Sequence, residues 1–332
     1  MVNFFQNSLA RHFIESDGHL AITGATGWVG STAVHELLTL LSPSVFADRV
    51  RLFASRAGSL SISGAYSGSG DSPAFILPVH SLQYLPELAS AKARLAILHT
   101  AFLTRDRLAA MGQEAYVTTN RWITSQVAQA LSLAPLARAV VISSGAAAPY
   151  DALNNPIQRL ATDPYGVLKH LEETTLAELA PSLVVRIYAL TGYFIRNPHR
   201  FALGEFLSMA LRGEPIRLDA SMPVFRSYGH AGDITALSLR WLIGSEQPLG
   251  VPLPAVSLGI DLYSLAQKVS DLYSLPPVQA TIDPEAEANR YLADPQPFLA
   301  SLSRYGLVPK SLEDQIQDTA AGLLEHSLCQ LD

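Results

Sequence analysis

The chain has 332 residues, 48% of them hydrophobic and 16% charged, with a formal net charge of -6. This balance supports a sizeable buried core and argues against a general nucleic-acid binder, which would need a basic face. The single cysteine, Cys329, excludes an intrachain disulfide and a cysteine metal site, and it fits a reducing cytoplasm.

Phe4, Phe5, Leu9 and Phe13 recur at helical spacing and predict a short amphipathic helix ahead of the first strand. It is read as packing on the body, because its polar face is poor in Lys and Arg. The segment lacks the basic-then-apolar layout of a secretory signal, and no apolar run approaches the ~18 residues of a spanning helix. No membrane association is expected. Strands are predicted at His19–Thr23, Val50–Ser55, Ala74–Leu77, Leu95–His99, Ala139–Ser143 and Leu183–Tyr188. Helices are predicted at Ser31–Leu41, Glu114–Leu133 and Tyr165–Leu179, with Ser59–Ser72 a loop or irregular hairpin. Alternating strands and helices imply crossover connections and a parallel sheet covered on both faces. Regularity fades after Gly192, with helices expected at Phe201–Arg212, Asp233–Ile243, Leu262–Leu272 and Ser311–Leu324, and a strand or turn feeding a helix in Tyr291–Leu307. The fold class is α/β: a doubly wound Rossmann domain over residues 1–190, with a return segment near 229–260. A smaller mixed α/β substrate lobe takes 191–228 and 261–332.

Thr23-Gly24-Ala25-Thr26-Gly27-Trp28-Val29-Gly30 follows the first strand and opens the first helix of a βαβ unit. Gly24 allows the sharp exit, Gly27 lets the backbone approach a pyrophosphate, and Gly30 permits close helix–sheet packing. The helix N-terminus then favours the anion. These residues point to a dinucleotide. At the end of the second strand stand Ser55 and Arg56, where an acid would hold a ribose 2′-hydroxyl. A hydroxyl and a guanidinium suit a 2′-phosphate, so NADP is preferred to NAD.

Tyr165 and Lys169 lie four residues apart on one helix face. An ammonium near a phenol favours the phenolate and lowers its pKa, which predicts a usable acid/base. The strand Val140–Ile142 ends in Ser143 and Ser144, at the sheet edge where ligands of open α/β sheets bind. The nine histidines show no ligand spacing and are read as ordinary surface or core residues, and no metal is expected.

This order of glycine turn, strand-end serine and Tyr/Lys helix resembles the short-chain dehydrogenase/reductase superfamily. More closely it resembles the extended branch, the NAD(P)-dependent epimerase/dehydratase family, which acts largely on nucleotide-activated sugars. Leu98–Ala101, Asn120, Glu173 four residues after Lys169, Arg186–Gly192 and Arg226–Asp233 extend the likeness over nearly the whole chain. The resemblance implies that Ser144, Tyr165 and Lys169 are catalytic. It assigns the cofactor to Gly24, Thr26, Gly27, Trp28, Val29, Gly30, Ser55, Arg56, Val79, Thr100, Ala101, Asn120, Ser143, Tyr165, Lys169 and Tyr188. It assigns the substrate to Ser144, Gly145, Asn197 and Arg226, the last clamping a diphosphate. It also implies a homodimer built on the Glu114–Leu133 and Tyr165–Leu179 helices. No Asp–Glu pair follows Ser144, which counts against a 4,6-dehydratase, since elimination needs an extra acid and base. A 4-ketoreductase or 4-epimerase of a nucleotide sugar leads. The alternatives are an NADPH-dependent reductase of a non-sugar carbonyl and a non-catalytic dinucleotide sensor.

Overall fold

In the computed structural model, which describes residues 11–12, 18–62 and 74–328, apolar runs in the first half become strands that are buried nearly end to end. β1 (His19–Thr23) is buried at every position, and β6 (Leu136–Ser144) at seven of its nine. Such continuous burial belongs to central strands covered on both faces. With β2 (Val50–Ala54), β3 (Gly58–Ile62), β4 (Phe75–Ser81), β5 (Arg94–His99), β7 (Ser182–Ile187) and β11 (Leu253–Pro254) they form one sheet, in the order β11-β7-β6-β5-β1-β2-β4-β3. β1 runs parallel to both β2 and β5, and β5 parallel to β6. The chain therefore leaves β1 first toward β2 and later returns to β5 on its other side. Between them lies the switch point where open α/β sheets take their ligands. Of the loop or irregular hairpin expected over Ser59–Ser72, the described part takes the hairpin form. Gly58–Ile62 is a strand antiparallel to β4, and residues 63–73 fall outside the described residues. Leu60 and Ile62 are buried while their neighbours are exposed, an alternation that the Ser- and Gly-rich composition hides. Of the helix expected around Phe4–Phe13, only Arg11 and His12 are described, and both are helical.

Two units are resolved by their internal packing. The first comprises Met1–Arg186 and Thr235–Leu253, the second Ile187–Ile234 and Pro254–Asp332. The sequence set this division at 190, with a return segment near 229–260. In the second unit, β10 (Val224–His230) is central. It pairs in parallel with β8 (Ala189–Thr191) and β14 (Asn289–Tyr291), and antiparallel with β12 (Leu258–Asp261). The Leu312–Leu328 helix is tied to β8 and β10 by Gln315, which accepts from Thr191 at 2.8 Å, and by Asp318, 2.8 Å from His230 Nε2.

Helix starts follow local chemistry. The Pro164–Leu179 helix begins with Pro at its first position, and the Asp163 carboxylate accepts the Gly166 N–H at 3.2 Å. Glu173 of this helix and Arg186 of β7 are both buried, and Nε of the guanidinium donates to the carboxylate at 2.9 Å. Nη1 and Nη2 of Arg186 also fork onto Asp151 at 2.7 and 2.6 Å. Asp151, His170 and Glu173 offer ligand atoms within 4.8 Å of one another. Arg186 already supplies the positive charge there. Burial pushes the Asp151 carboxyl up, but Arg186 more than offsets it and holds the group below its ordinary range. That contribution is present at neutral pH and is lost on acidification through the depressed pKa. Arg186→Met would leave Glu173 buried without its partner. We expect it to cost about 3 kcal/mol or more in urea unfolding, and a loss well under 1 kcal/mol would show that the pair does not brace the helix.

Candidate active site

β1 ends against the glycine turn. Gly24 has φ +69°, and a Cβ there would stand 2.7 Å from the Ala101 amide nitrogen. A Cβ on Gly30 would collide with the Gly24 carbonyl oxygen, so the helix can lie this close only as glycine. Gly27 is the N-cap of the Trp28–Leu40 helix. It brings no side-chain cap, and the first turn carries no acid. The leading N–H groups of Val29 and Gly30 are thus left for an external anion. Thr26 is exposed on the turn. Ser143, at the end of β6, has a buried hydroxyl with no hydrogen-bond partner among the described residues. The glycine-only cradle, the uncapped helix start and the orphaned hydroxyl together fit a nicotinamide dinucleotide.

The neighbouring loop is held firmly. Thr100 Oγ1 donates to the Thr23 and Gly24 carbonyls at 2.7 and 3.2 Å. Asn120 is buried, and its amide oxygen accepts the Leu103 N–H at 2.8 Å, while the Tyr116 hydroxyl donates to the Leu103 carbonyl at 2.6 Å. Asn120 therefore fastens the 101–104 backbone with its own amide. Ser55 and Arg56 are exposed directly after β2, and Val79 is buried opposite Leu52 in β4.

Ser144 ends β6 with its hydroxyl 3.2 Å from the Ala146 N–H, which it accepts, and Gly145 starts the short turn that follows. The same hydroxyl acts on the Tyr165 phenol, pulling its pKa down. The expected pair is thereby brought together at the carboxyl edge of the sheet. The phenol, expected to titrate below its ordinary value, titrates above it. Burial pushes Tyr165 up, the Ser144 bond pulls down, Glu172 pushes up again, Arg105 pulls down and Asp163 pushes up, leaving the phenol above its ordinary value. Lys169 is occupied elsewhere. Its buried Nζ donates to the Ile142 carbonyl at 2.9 Å and to Glu172 Oε2 at 2.8 Å, and it lies 3.9 Å from the centroid of the Phe102 ring. The Phe102 ring meets Tyr165 edge-on at 5.9 Å, and Arg105 stands 5.3 Å from the Tyr165 ring centroid.

Glu172 and His99 are site residues that the sequence reading passed over. Glu172 is fully buried between Lys169 and His99, whose Nε2 is 2.9 Å from Oε1. His99 Nδ1 lies 2.7 Å from Thr23 Oγ1. The tautomer with its proton on Nε2 satisfies both contacts. Burial pushes Glu172 up, and Lys169 and His99 outweigh it, so the carboxyl is held below its usual range and is charged. The signal was available as the i,i+3 spacing of Lys169 and Glu172.

The remaining candidates belong to the second unit. Tyr188 stacks at a tilt on Tyr291, with centroids 4.7 Å apart. Asn197 is exposed in a left-handed conformation, φ +51°. Arg226 Nη1 donates to the Phe225 carbonyl at 2.7 Å and to Asn289 Oδ1 at 2.9 Å. In the same unit, Leu218, Met222, Phe225 and Tyr263 line an apolar cavity of about 230 Å³.

The NAD dependent epimerase/dehydratase family matches residues 20–246. Similar solved structures include MoeE5 in complex with UDP-glucuronic acid and NAD, at 18% identity, 93% of this chain, 100% of that chain and a TM-score of 0.65. The UDP-N-acetylglucosamine 4-epimerase of Methanobrevibacter ruminantium M1 is 16% identical, with 93% and 98% covered and a TM-score of 0.67. The UDP-glucose 4-epimerase of Thermotoga maritima is 16% identical, with 93% and 99% covered and a TM-score of 0.63. These likenesses show the fold. A search of curated proteins returns no match. The chain belongs to the NAD dependent epimerase/dehydratase family, as an enzyme of the extended short-chain dehydrogenase/reductase type that works with a nicotinamide dinucleotide.

Proposed function

We propose that this enzyme carries out reversible hydride transfer on a nucleotide-activated sugar, as a 4-ketoreductase or 4-epimerase, with Ser144, Tyr165 and Lys169 at the reacting centre. The observation that carries the reading is the gathering of Tyr165 and Lys169 at the carboxyl end of β6, where Ser144 stands: Lys169 Nζ donates to the Ile142 carbonyl two residues before Ser144, and the Phe102 ring meets both Lys169 and Tyr165, in the unit that also holds the uncapped glycine turn. When bound, the nicotinamide supplies or accepts the hydride. Tyr165 exchanges the proton of the sugar oxygen, and Ser144 orients that oxygen. Lys169 fixes the floor of the site through Ile142 and Glu172, with the Phe102 face as the contact it most readily exchanges for a ribose hydroxyl. Arg226, with the cavity of Met222, Phe225 and Tyr263 in the same unit, suits the diphosphate and base of a sugar nucleotide. MoeE5 was solved with UDP sugars, which supports this class of substrate.

NADP is the proposed cofactor, on the exposed Ser55-Arg56 pair after β2. A homodimer through the Gln113–Leu133 and Pro164–Leu179 helices is supported by exposed Trp122, Leu133 and Leu179 on them. Sedimentation equilibrium at micromolar protein should give a dimer mass, and a monomer would remove that part of the reading.

Tyr165→Phe should lower kcat on a 4-keto or 4-hydroxy nucleotide sugar about a hundredfold or more while dinucleotide binding persists. Turnover equal to the parent's would end the catalytic assignment. Arg56→Glu should weaken NADPH binding about tenfold or more relative to NADH, measured by quenching of protein fluorescence. Unchanged NADPH affinity would place the 2′-phosphate elsewhere.

A further inference from the structure

The three N–H donors of Lys169 are accounted for: a carbonyl, a carboxylate and an aromatic face. The carboxylate matters most, because it is a full negative charge 2.8 Å from the ammonium with both side chains buried. A lone ammonium beside a phenol favours the phenolate, whereas an ammonium bound to a carboxylate presents a dipole whose net charge is zero. His99 takes the other carboxylate oxygen, with its Nε2 2.9 Å from Oε1. The other groups that act on Tyr165 are Arg105 from the loop after β5, Asp163 at the helix start and Tyr116 from the Gln113–Leu133 helix. Arg105 is itself 3.2 Å from Asp163, so that pair also sums to about zero.

We infer that Glu172 is the positioning residue that sets the direction of proton traffic: by neutralising Lys169 it keeps Tyr165 protonated, so the site is built to hand a proton to a carbonyl oxygen. This rests on Tyr165 being the acid/base of the reading above, and within that reading the resting site is primed for a keto sugar. The carbonyl carbon receives the hydride with its electron pair from the reduced nicotinamide. The C=O π pair moves onto oxygen, and the oxygen takes the Tyr165 proton. The ketone becomes an alcohol, the nicotinamide is oxidised, and water reprotonates the phenolate after product leaves. A reaction that begins by removing a proton from an alcohol needs the opposite charge balance.

The test is an ultraviolet difference titration of the Tyr165 phenol without cofactor, taken between each protein and its Tyr165→Phe counterpart. In Glu172→Gln, which keeps the shape and removes the charge, Tyr165 should ionise at a pH lower by about one unit or more. An unchanged midpoint in a folded variant, checked by circular dichroism, would overturn the inference. If that variant does not fold, Lys169→Met and Lys169→Met/Glu172→Gln answer the same question. The double variant should ionise about one unit below the single one, and equal midpoints would show that Tyr165 does not feel the Glu172 charge. A merely structural Glu172 would not move either titration. In turnover, Glu172→Gln should move the pH limb set by Tyr165 to lower pH by about one unit in both alcohol oxidation and ketone reduction. Should no nucleotide sugar be turned over, the substrate reading fails while the titration still decides the role of Glu172.

Discussion

A buried carboxylate shared between an ammonium and an imidazole is the constraint on which the first unit turns. Glu172 leaves water completely, and only its two cationic-side neighbours make that tolerable. Through them it joins the Pro164–Leu179 helix to β5 by His99, to β1 by Thr23 and to β6 by Ile142. Those strands border the switch point of the sheet. The chemistry of the site and the register of its walls therefore depend on the same set of bonds.

The parts of the site that local rules govern were legible in the sequence. Gly24, Gly27 and Gly30 follow from what a strand-to-helix turn can accommodate, and the observed collisions of an added Cβ give the reason at Gly24 and Gly30. Ser144 and Tyr165 follow from strand ends and helix spacing, and they meet. The charge of the site was not legible in the same way. Glu172 and Glu173 are adjacent in sequence, and about 100° of helical rotation separates them. One faces Lys169 and the other Arg186, and the choice is made by β5 and β7, more than ten residues away in sequence on either side. His99 looked like an ordinary core residue because its partner is contributed by tertiary packing.

The second unit was less readable. β10 passes through Arg226–Gly229 with partners on both edges, yet its polar and aromatic residues give no clean alternation. Short strands such as β8 and β14 gain their place from pairing rather than from propensity. The Arg226 guanidinium, which a motif can name, is held by Asn289 of a strand that no motif names.

Asn120 and Tyr116 both grip Leu103, and the stretch they hold carries Ala101 against Gly24, Phe102 over Lys169 and Arg105 over Tyr165. Cofactor cradle, lysine and phenol are thus mechanically geared to a single short segment. A change in the Gln113–Leu133 helix that loosened this latch would be inherited by all of them together. Divergence of specificity in such an enzyme is accordingly easier at Ser55, Arg56 or Asn197, whose side chains face solvent and answer to no common anchor.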